Sequence, residues 1–132
     1  MGQQQLLLII LGVIIVGIAI AVGVVMFRDN GVSANRDAMR SDLLLLASKA
    51  KQYYRRPVSM GGGGYSFDGI TMAKIATSQF SDSNANGSYT LTFNNSKEIL
   101  LKGIGHIQLD NGDKTEVWCT VTPIGQTMET IK

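Results

Sequence analysis

Residues 6–27 read LLLIILGVIIVGIAIAVGVVMF, a stretch of Leu, Ile, Val and small residues without a charge. As an α-helix, this apolar segment extends about 33 Å, which matches the hydrocarbon thickness of a bilayer. We therefore predict a membrane-spanning helix in an N-terminal domain 1–27. A cleaved secretory signal has a basic start and a shorter apolar stretch, whereas residues 3–5 are glutamines here, so we expect the segment to be retained.

Two pairs of small residues interrupt the apolar segment. Gly17 and Ala21 lie four positions apart, as do Ala19 and Gly23. This spacing lets helices approach closely in an apolar medium, which is one interpretation of the pairs. The other is that glycine is simply common in transmembrane helices. We keep both interpretations open and assign Gly17, Ala21 and Gly23 as candidate assembly residues.

Residues 28–56 have the pattern of an amphipathic helical stem. Apolar residues recur at a spacing of seven, with two more on the same face: Val32, Met39, Leu46 and Tyr53, then Leu43 and Ala50. Pro57 pushes the residue before it out of helical geometry, so we predict that the helix ends near Arg56. We expect the stem to pack under a head, and we add Met39, Leu43 and Leu46 to the candidate assembly residues.

Residues 57–132 are predicted to form a small β-rich head. Runs rich in Thr, Val, Ile and aromatic residues are typical of strands, and they cover 88–93, 99–109 and 115–123, with a fourth strand within 124–131. Turn signals at 94–95 and 111–112 separate them, so the simplest topology is an antiparallel meander. The predicted fold class is α+β, a long N-terminal helix packed against a small antiparallel sheet.

Glycines and a short apolar run accompany these strands. Residues 61–64 are four glycines, which we interpret as a flexible linker that lets the chain reverse direction. Residues 71–80 are predicted to form a short helix that packs Met72, Ile75, Ala76 and Phe80. Gly103 and Gly105 indicate a bulge or a close backbone contact within a strand.

Few residues in the chain suit catalysis or metal binding. Cys119 is the only cysteine and His106 the only histidine, which excludes a disulfide framework, zinc-ligand spacing and haem attachment. We expect Cys119 to be a buried small hydrophobe and His106 to be structural or exposed. Residues 110–113 with Glu116 have enough oxygens for calcium, but a hairpin turn explains them better. We therefore expect no enzyme activity, cofactor, metal or nucleic-acid contact.

Residues 35–43 read NRDAMRSDL and continue to Ala47 and to the tyrosines 53–54, shortly before Pro57. This stem, preceded by an apolar helix and a very short polar leader, resembles that of type IV pilins and of the pseudopilins of type II secretion. The resemblance covers about the first 57 residues, and the head is not diagnostic.

Two features depart from the family pattern. A leader of Met1 and Gly2 is unusually short and lacks basic residues. The family usually has a glutamate near the start of the apolar helix, where it pairs with a neighbour's amino terminus, whereas no carboxylate precedes Asp29 here. Gln5 lies at the equivalent position if Met1 is kept, and its amide oxygen can accept a hydrogen bond from that ammonium. Met1 and Gln5 complete the candidate assembly residues.

Charge is distributed unevenly along the chain. Residues 28–56 hold seven basic and three acidic residues, whereas residues 57–132 hold five basic and seven acidic. Opposite signs suit packing of a head against the stem of another copy, although ordinary solvated surfaces explain them equally well.

Arg28, Arg36 and Arg40 follow the span, which by the positive-inside tendency places the head in the cytoplasm. A folded domain can translocate despite such charges, and the resemblance favours a head outside.

The resemblance implies a structural subunit of an extracellular type IV pilus-like filament, a helical homopolymer. The implied partners are copies of the chain, the membrane before assembly, and the pilus or secretion assembly machinery. The implied location is the inner membrane first and the cell surface after assembly. The alternative is a non-polymerising single-pass membrane protein whose head binds a ligand or partner. A membrane-tethered enzyme is disfavoured.

Overall fold

The computed structural model describes residues 2–76 and 82–132, so Met1 and Phe80 lie outside the described residues. Helix α1 spans Gly2–Arg55 and helix α2 spans Met72–Ile75, with a 3-10 turn at Val58–Met60 between them. The strands are β1 Gly87–Asn95, β2 Glu98–Gln108, β3 Lys114–Val121 and β4 Gln126–Thr130. A long N-terminal helix packed against an antiparallel sheet confirms the predicted α+β fold.

The chain divides into two compact units, Met1–Ser33 and Ala34–Lys132. In the first unit, every residue from 2 to 30 is exposed. The second unit holds residues 34–55 of α1, here called the packed segment, together with the sheet and its loops. Its apolar core joins the packed segment to one face of the sheet.

The packed segment buries the face that the sequence predicts. Met39, Leu43 and Leu46 are fully buried, and Ala50 and Tyr53 also belong to the core. The amphipathic pattern is therefore confirmed from Met39 onward, whereas Val32 is half-buried and lies in the first unit.

The sheet is an antiparallel meander in the order β1-β2-β3-β4, as predicted. Alternate residues of β2 and β3 are buried, and the register places Leu101 opposite Cys119 and Ile99 opposite Val121. All four side chains are fully buried, which confirms the expected burial of Cys119.

The turns follow the prediction at one end of the sheet and depart from it at the other. Residues 111–112 lie in the β2–β3 turn as predicted, and Gly112 has a left-handed φ of 86°. The β1–β2 turn lies at Ser96 and Lys97, so the prediction of a turn at 94–95 is wrong. Asn95 instead pairs with Glu98 after a shift in register, and its Oδ1 accepts a hydrogen bond from the backbone N of Lys97 at 2.8 Å.

The glycines 61–64 form an ordered cap on α1, which corrects the interpretation of a flexible linker. The backbone N of Gly63 donates to the carbonyl of Tyr53 at 2.9 Å, and that of Tyr65 donates to Tyr54 at 2.7 Å. A Cβ on Gly63 would lie 1.8 Å from the carbonyl oxygen of Ser66. The loop therefore satisfies the last carbonyls of the helix, and only glycine fits the tight path this requires.

The helix predicted at 71–80 is described only in part. Helix α2 ends at Ile75, which is buried, and residues 77–81 lie outside the described residues. Within 71–76, the prediction of a helix that packs Ile75 is confirmed.

Gly105 brings β2 close to the packed segment. A Cβ on this residue would lie 2.0 Å from Oγ1 of Thr115 and 2.3 Å from Oδ1 of Asn35. Those two side chains are buried and are joined by a hydrogen bond of 2.8 Å. The pairing register also shifts between Ile104 and Gln108. The close contact and the irregularity indicated by the glycines in β2 are therefore both present.

Gly105→Ala should destabilise the second unit because the added methyl group collides with a buried hydrogen bond. We expect a loss of about 1–3 kcal/mol in the free energy of unfolding, the range for overpacking a core. The control is Gly125→Ala, because nothing lies within 4 Å of a Cβ at that position. Thermal unfolding is followed by circular dichroism for both variants. Equal melting temperatures for Gly105→Ala and Gly125→Ala would contradict the close approach of β2 to the packed segment.

Candidate assembly surface

The apolar segment exposes its side chains. Its large hydrophobic residues are 52–81% exposed, with Val22 at the lower end and Phe27 at the upper. An 18-residue window of α1 has a mean hydropathy of 3.2 and is 0% buried, so the helix is long and apolar enough to cross a membrane. Apolar surface of this extent is stable only against lipid or another apolar chain.

Small residues lie on two sides of the apolar segment. At about 100° per residue, Gly12, Ala19 and Gly23 share one side of the helix, while Gly17 and Ala21 lie almost opposite. We call the first set face A and the second face B. A Cβ at any of the three glycines would find no atom within 4 Å. Both faces are therefore open to a neighbouring helix.

Gln5 is exposed near the N-terminal end of α1. Its side-chain amide offers one acceptor oxygen and two donor hydrogens in a region without charged residues. Met1, the other predicted terminal residue, lies outside the described residues. The hydrogen bond predicted between Gln5 and a neighbour's ammonium therefore stays a prediction.

The three candidate assembly residues of the stem are placed inside the second unit. Met39, Leu43 and Leu46 are each 0% exposed and belong to the core under the sheet. In this fold they offer no surface to a second copy. In the single chain they hold the packed segment against the sheet, and their role in assembly stays a prediction.

A polar clasp joins the packed segment to the loop before β1. Asp42 Oδ2 accepts hydrogen bonds from Nδ2 of Asn84 at 2.8 Å, from Nδ2 of Asn86 at 2.8 Å and from the hydroxyl of Tyr89 at 2.5 Å. Burial, and then the neighbouring Asp42 carboxylate, raise the pKa of Tyr89 above its usual range. The phenol therefore stays protonated and donates. Nearby, Asn35 Nδ2 donates to the carbonyl of Asn86 at 2.9 Å.

Sequence reasoning missed the polar clasp. The resemblance drew attention to residues 35–43 as a pattern, but it gave Asp42 and Asn35 no structural role. The sequence feature that could have indicated it is the pair of asparagines at 84 and 86, because asparagine side chains often hydrogen-bond to nearby backbone in turns. Asn84 Oδ1 does accept from the backbone N of Asn86 at 2.9 Å.

Two of the three arginines that follow the span are bound within the second unit. Arg36 Nε donates to the carbonyl of Lys132 at 3.2 Å. Arg40 donates to Oγ1 of Thr130 at 2.5 Å and pairs with Asp37 at 2.9 Å. These cations therefore fasten the C-terminal strand to the packed segment.

His106 and Cys119 have surroundings that suit structural roles. His106 is exposed, and its Nε2 lies 3.0 Å from the carbonyl oxygen of Asn84. Burial raises the pKa of the Cys119 thiol to about 11, although the charge of Lys51 opposes the shift. The thiolate is the nucleophilic form, so this cysteine is unreactive at neutral pH.

The acids near the β2–β3 turn have partners inside the fold. Asp113 pairs with Lys132 at 3.2 Å, and Glu116 pairs with Lys102 at 2.8 Å. The hydrogen bond from Lys102, followed by one from Trp118, lowers the pKa of Glu116 despite partial burial. Among residues 2–76 and 82–132, no group of three His, Cys, Asp or Glu side chains is arranged to hold a metal ion.

Comparison of the chain with family models, curated proteins and solved structures finds no match. The similarity to type IV pilins therefore stays a prediction from the first 57 residues. What the described residues add is a membrane-capable helix and a self-contained α+β unit.

Asp42→Ala should loosen the second unit because it leaves the buried Tyr89 hydroxyl and two asparagine amides without their shared acceptor. Removing one partner of a buried hydrogen-bonded group costs about 1–3 kcal/mol, so we expect a drop of that size in the free energy of unfolding. Asp37→Ala is the control, since the Asp37 side chain is 69% exposed in its ion pair with Arg40. Unfolding in urea gives the free energy of unfolding of both variants. An equal decrease in the two variants would rule out the polar clasp.

Proposed function

We propose that this chain is the structural subunit of a type IV pilus-like filament. In this proposal the apolar segments of identical copies bundle together, and the α+β units form the outer coat. The observation that carries the proposal is the apolar segment, which is exposed along its whole length and bears small residues on two nearly opposite sides.

The apolar segment needs a covering that its own unit does not provide. No residue in the 18-residue window of α1 with a mean hydropathy of 3.2 is buried. Lipid can cover this surface while the chain resides in a membrane, and only copies of the same helix can cover it once the chain leaves. Membrane residence and polymerisation are therefore two ways to meet one requirement.

Two opposite faces favour an open polymer over a closed dimer. A single small-residue face pairs with its own copy and uses up the contact, which yields a two-fold dimer. With face A and face B nearly opposite, face A of one helix can receive face B of the next. Such a head-to-tail contact propagates into a filament when the rotation that relates one copy to the next does not close a ring.

The second unit suits the coat because it completes its own core. Its large apolar residues under the sheet are buried, and the polar clasp holds the loop before β1 on the packed segment. A unit of this kind does not need a neighbour in order to fold. It can therefore be carried unchanged from a membrane-anchored subunit into a polymer.

The proposed route begins in the inner membrane and ends on the cell surface, with an assembly machinery that extracts the subunit. The arginines that follow the span do not exclude this route, because a sizeable folded domain can translocate regardless of flanking charge. We assign the chain no catalytic role.

A second candidate is a single-pass membrane protein that does not polymerise. It is favoured by the presence of one membrane-capable helix near the N-terminus, which by itself serves as an anchor. In that case faces A and B contact lipid only, and the α+β unit acts alone as a binding module.

Gly17→Leu and Gly23→Leu test the proposal, one on each face. Each bulky side chain should prevent close helix contact at a cost of about 1–3 kcal/mol, which lowers filament yield about fivefold or more. The control is Ile18→Leu, which preserves volume and lies off both faces. Material sheared from cells is examined by electron microscopy and by mass analysis of the intact chain.

The two candidates give different results in that experiment. The filament proposal expects fibres containing the intact chain from the parent and from Ile18→Leu, with few from either glycine variant. A single-pass anchor gives no fibres from any of them and leaves the chain in the membrane fraction. Equal fibre yields from all four proteins would contradict packing through faces A and B.

A further inference from the structure

One end of the second unit carries exposed apolar side chains on loops. Val58 and Met60 are each 72% exposed, Tyr65 is 70% exposed and Ile124 is 98% exposed. They come from the 3-10 turn, the glycine cap and the β3–β4 turn, none of which needs them for the core. We call this set, together with the neighbouring Arg55 and Arg56 side chains, the exposed pole.

Contacts connect these loops into one surface. The Tyr65 ring meets the Tyr54 ring edge-on with centroids 5.9 Å apart. Tyr54 in turn lines an open cleft with Lys97 and Ile124. A Cβ on Gly64, the residue before Tyr65, would lie 2.9 Å from Cγ2 of Val58. The loops that carry Val58, Tyr65 and Ile124 therefore lie next to one another.

The exposed pole also carries positive charge. Arg55 and Arg56 are exposed, and within the described part of the chain their side chains form no hydrogen bond or ion pair. Lys97 donates to the hydroxyl of Tyr54 at 3.1 Å and keeps its charge at the same end. The nearby acids are Asp68 and Glu98, so the cations remain in excess.

We propose that the exposed pole docks onto an anionic lipid surface. Apolar side chains on loops can enter the boundary between headgroups and acyl chains, where tyrosine is also enriched. Arg55 and Arg56 then lie at the level of the lipid phosphates and bind them electrostatically. The docking uses only residues of the second unit, so it does not rest on the proposed function.

Two other partners could contact these residues. A nucleic acid would engage the arginines but leave Val58, Met60 and Ile124 in water. Contact with a second copy is the remaining alternative, and the experiment below distinguishes it from lipid.

The test uses the full chain, with Ser59→Cys between Val58 and Met60 as an attachment point for the dye NBD. The native Cys119 is buried, so the new thiol is labelled selectively. The chain is placed singly in nanodiscs of neutral phosphatidylcholine and titrated with vesicles that contain phosphatidylglycerol. NBD fluorescence should rise and shift to the blue with anionic vesicles and not with neutral ones.

Variants separate charge from apolar contact. Arg55→Gln with Arg56→Gln should require about thirtyfold more anionic lipid for the same signal, because each basic residue near such a surface strengthens binding about fivefold. The matched control is Lys49→Gln with Lys114→Gln, which removes the same charge outside the exposed pole. Ile124→Ser should also weaken the signal, and at 98% exposure it leaves folding unchanged.

Four results would overturn the proposal. They are no response to anionic vesicles, an equal response to neutral vesicles, an equal loss in the lysine control, and a signal that appears only in nanodiscs holding two or more chains. The last result would assign the exposed pole to contact between copies.

Discussion

The apolar segment must be covered by something outside its own unit, and the rest of the account depends on that constraint. In a bilayer, lipid chains are as apolar as the helix, so close packing rather than the hydrophobic effect decides whether helices associate. In the proposed filament, faces A and B supply that packing. In water the hydrophobic effect acts as well, and separating the helices exposes side chains that are 52–81% exposed in the single chain. We therefore expect the proposed contacts to be reversible in lipid and durable outside it.

The second unit is built so that its surroundings can change while its fold does not. The glycine cap satisfies the last carbonyls of α1, and the polar clasp fixes the loop before β1 through one oxygen of Asp42. Gly105 lets the sheet come close enough for Asn35 and Thr115 to bond in the core. The apolar residues left outside, at the exposed pole, are then available for a partner of another kind.

The spacing of apolar residues and the turn-forming residues predicted most of the fold. The spacing of seven identified Met39, Leu46 and Tyr53 as core, and strand-like runs gave the meander, because both signals are local. What escaped prediction depends on contacts distant in sequence: the polar clasp joins residues more than forty positions apart. The four glycines read as a linker because composition does not distinguish a flexible glycine from one required by a tight path. Faces A and B follow from helical geometry, whereas the partner that meets them does not.

Crosslinking through both faces tests the central claim most directly. Gly17→Cys and Gly23→Cys are combined in one chain, which is then oxidised in the membrane and in sheared material, with each single variant alongside. Cys119 contributes little because it is buried. If face A of one copy meets face B of the next, the double variant gives a ladder that extends beyond dimers, which neither single variant does. A double variant that stays monomeric, or stops at dimers, would contradict the bundle of copies.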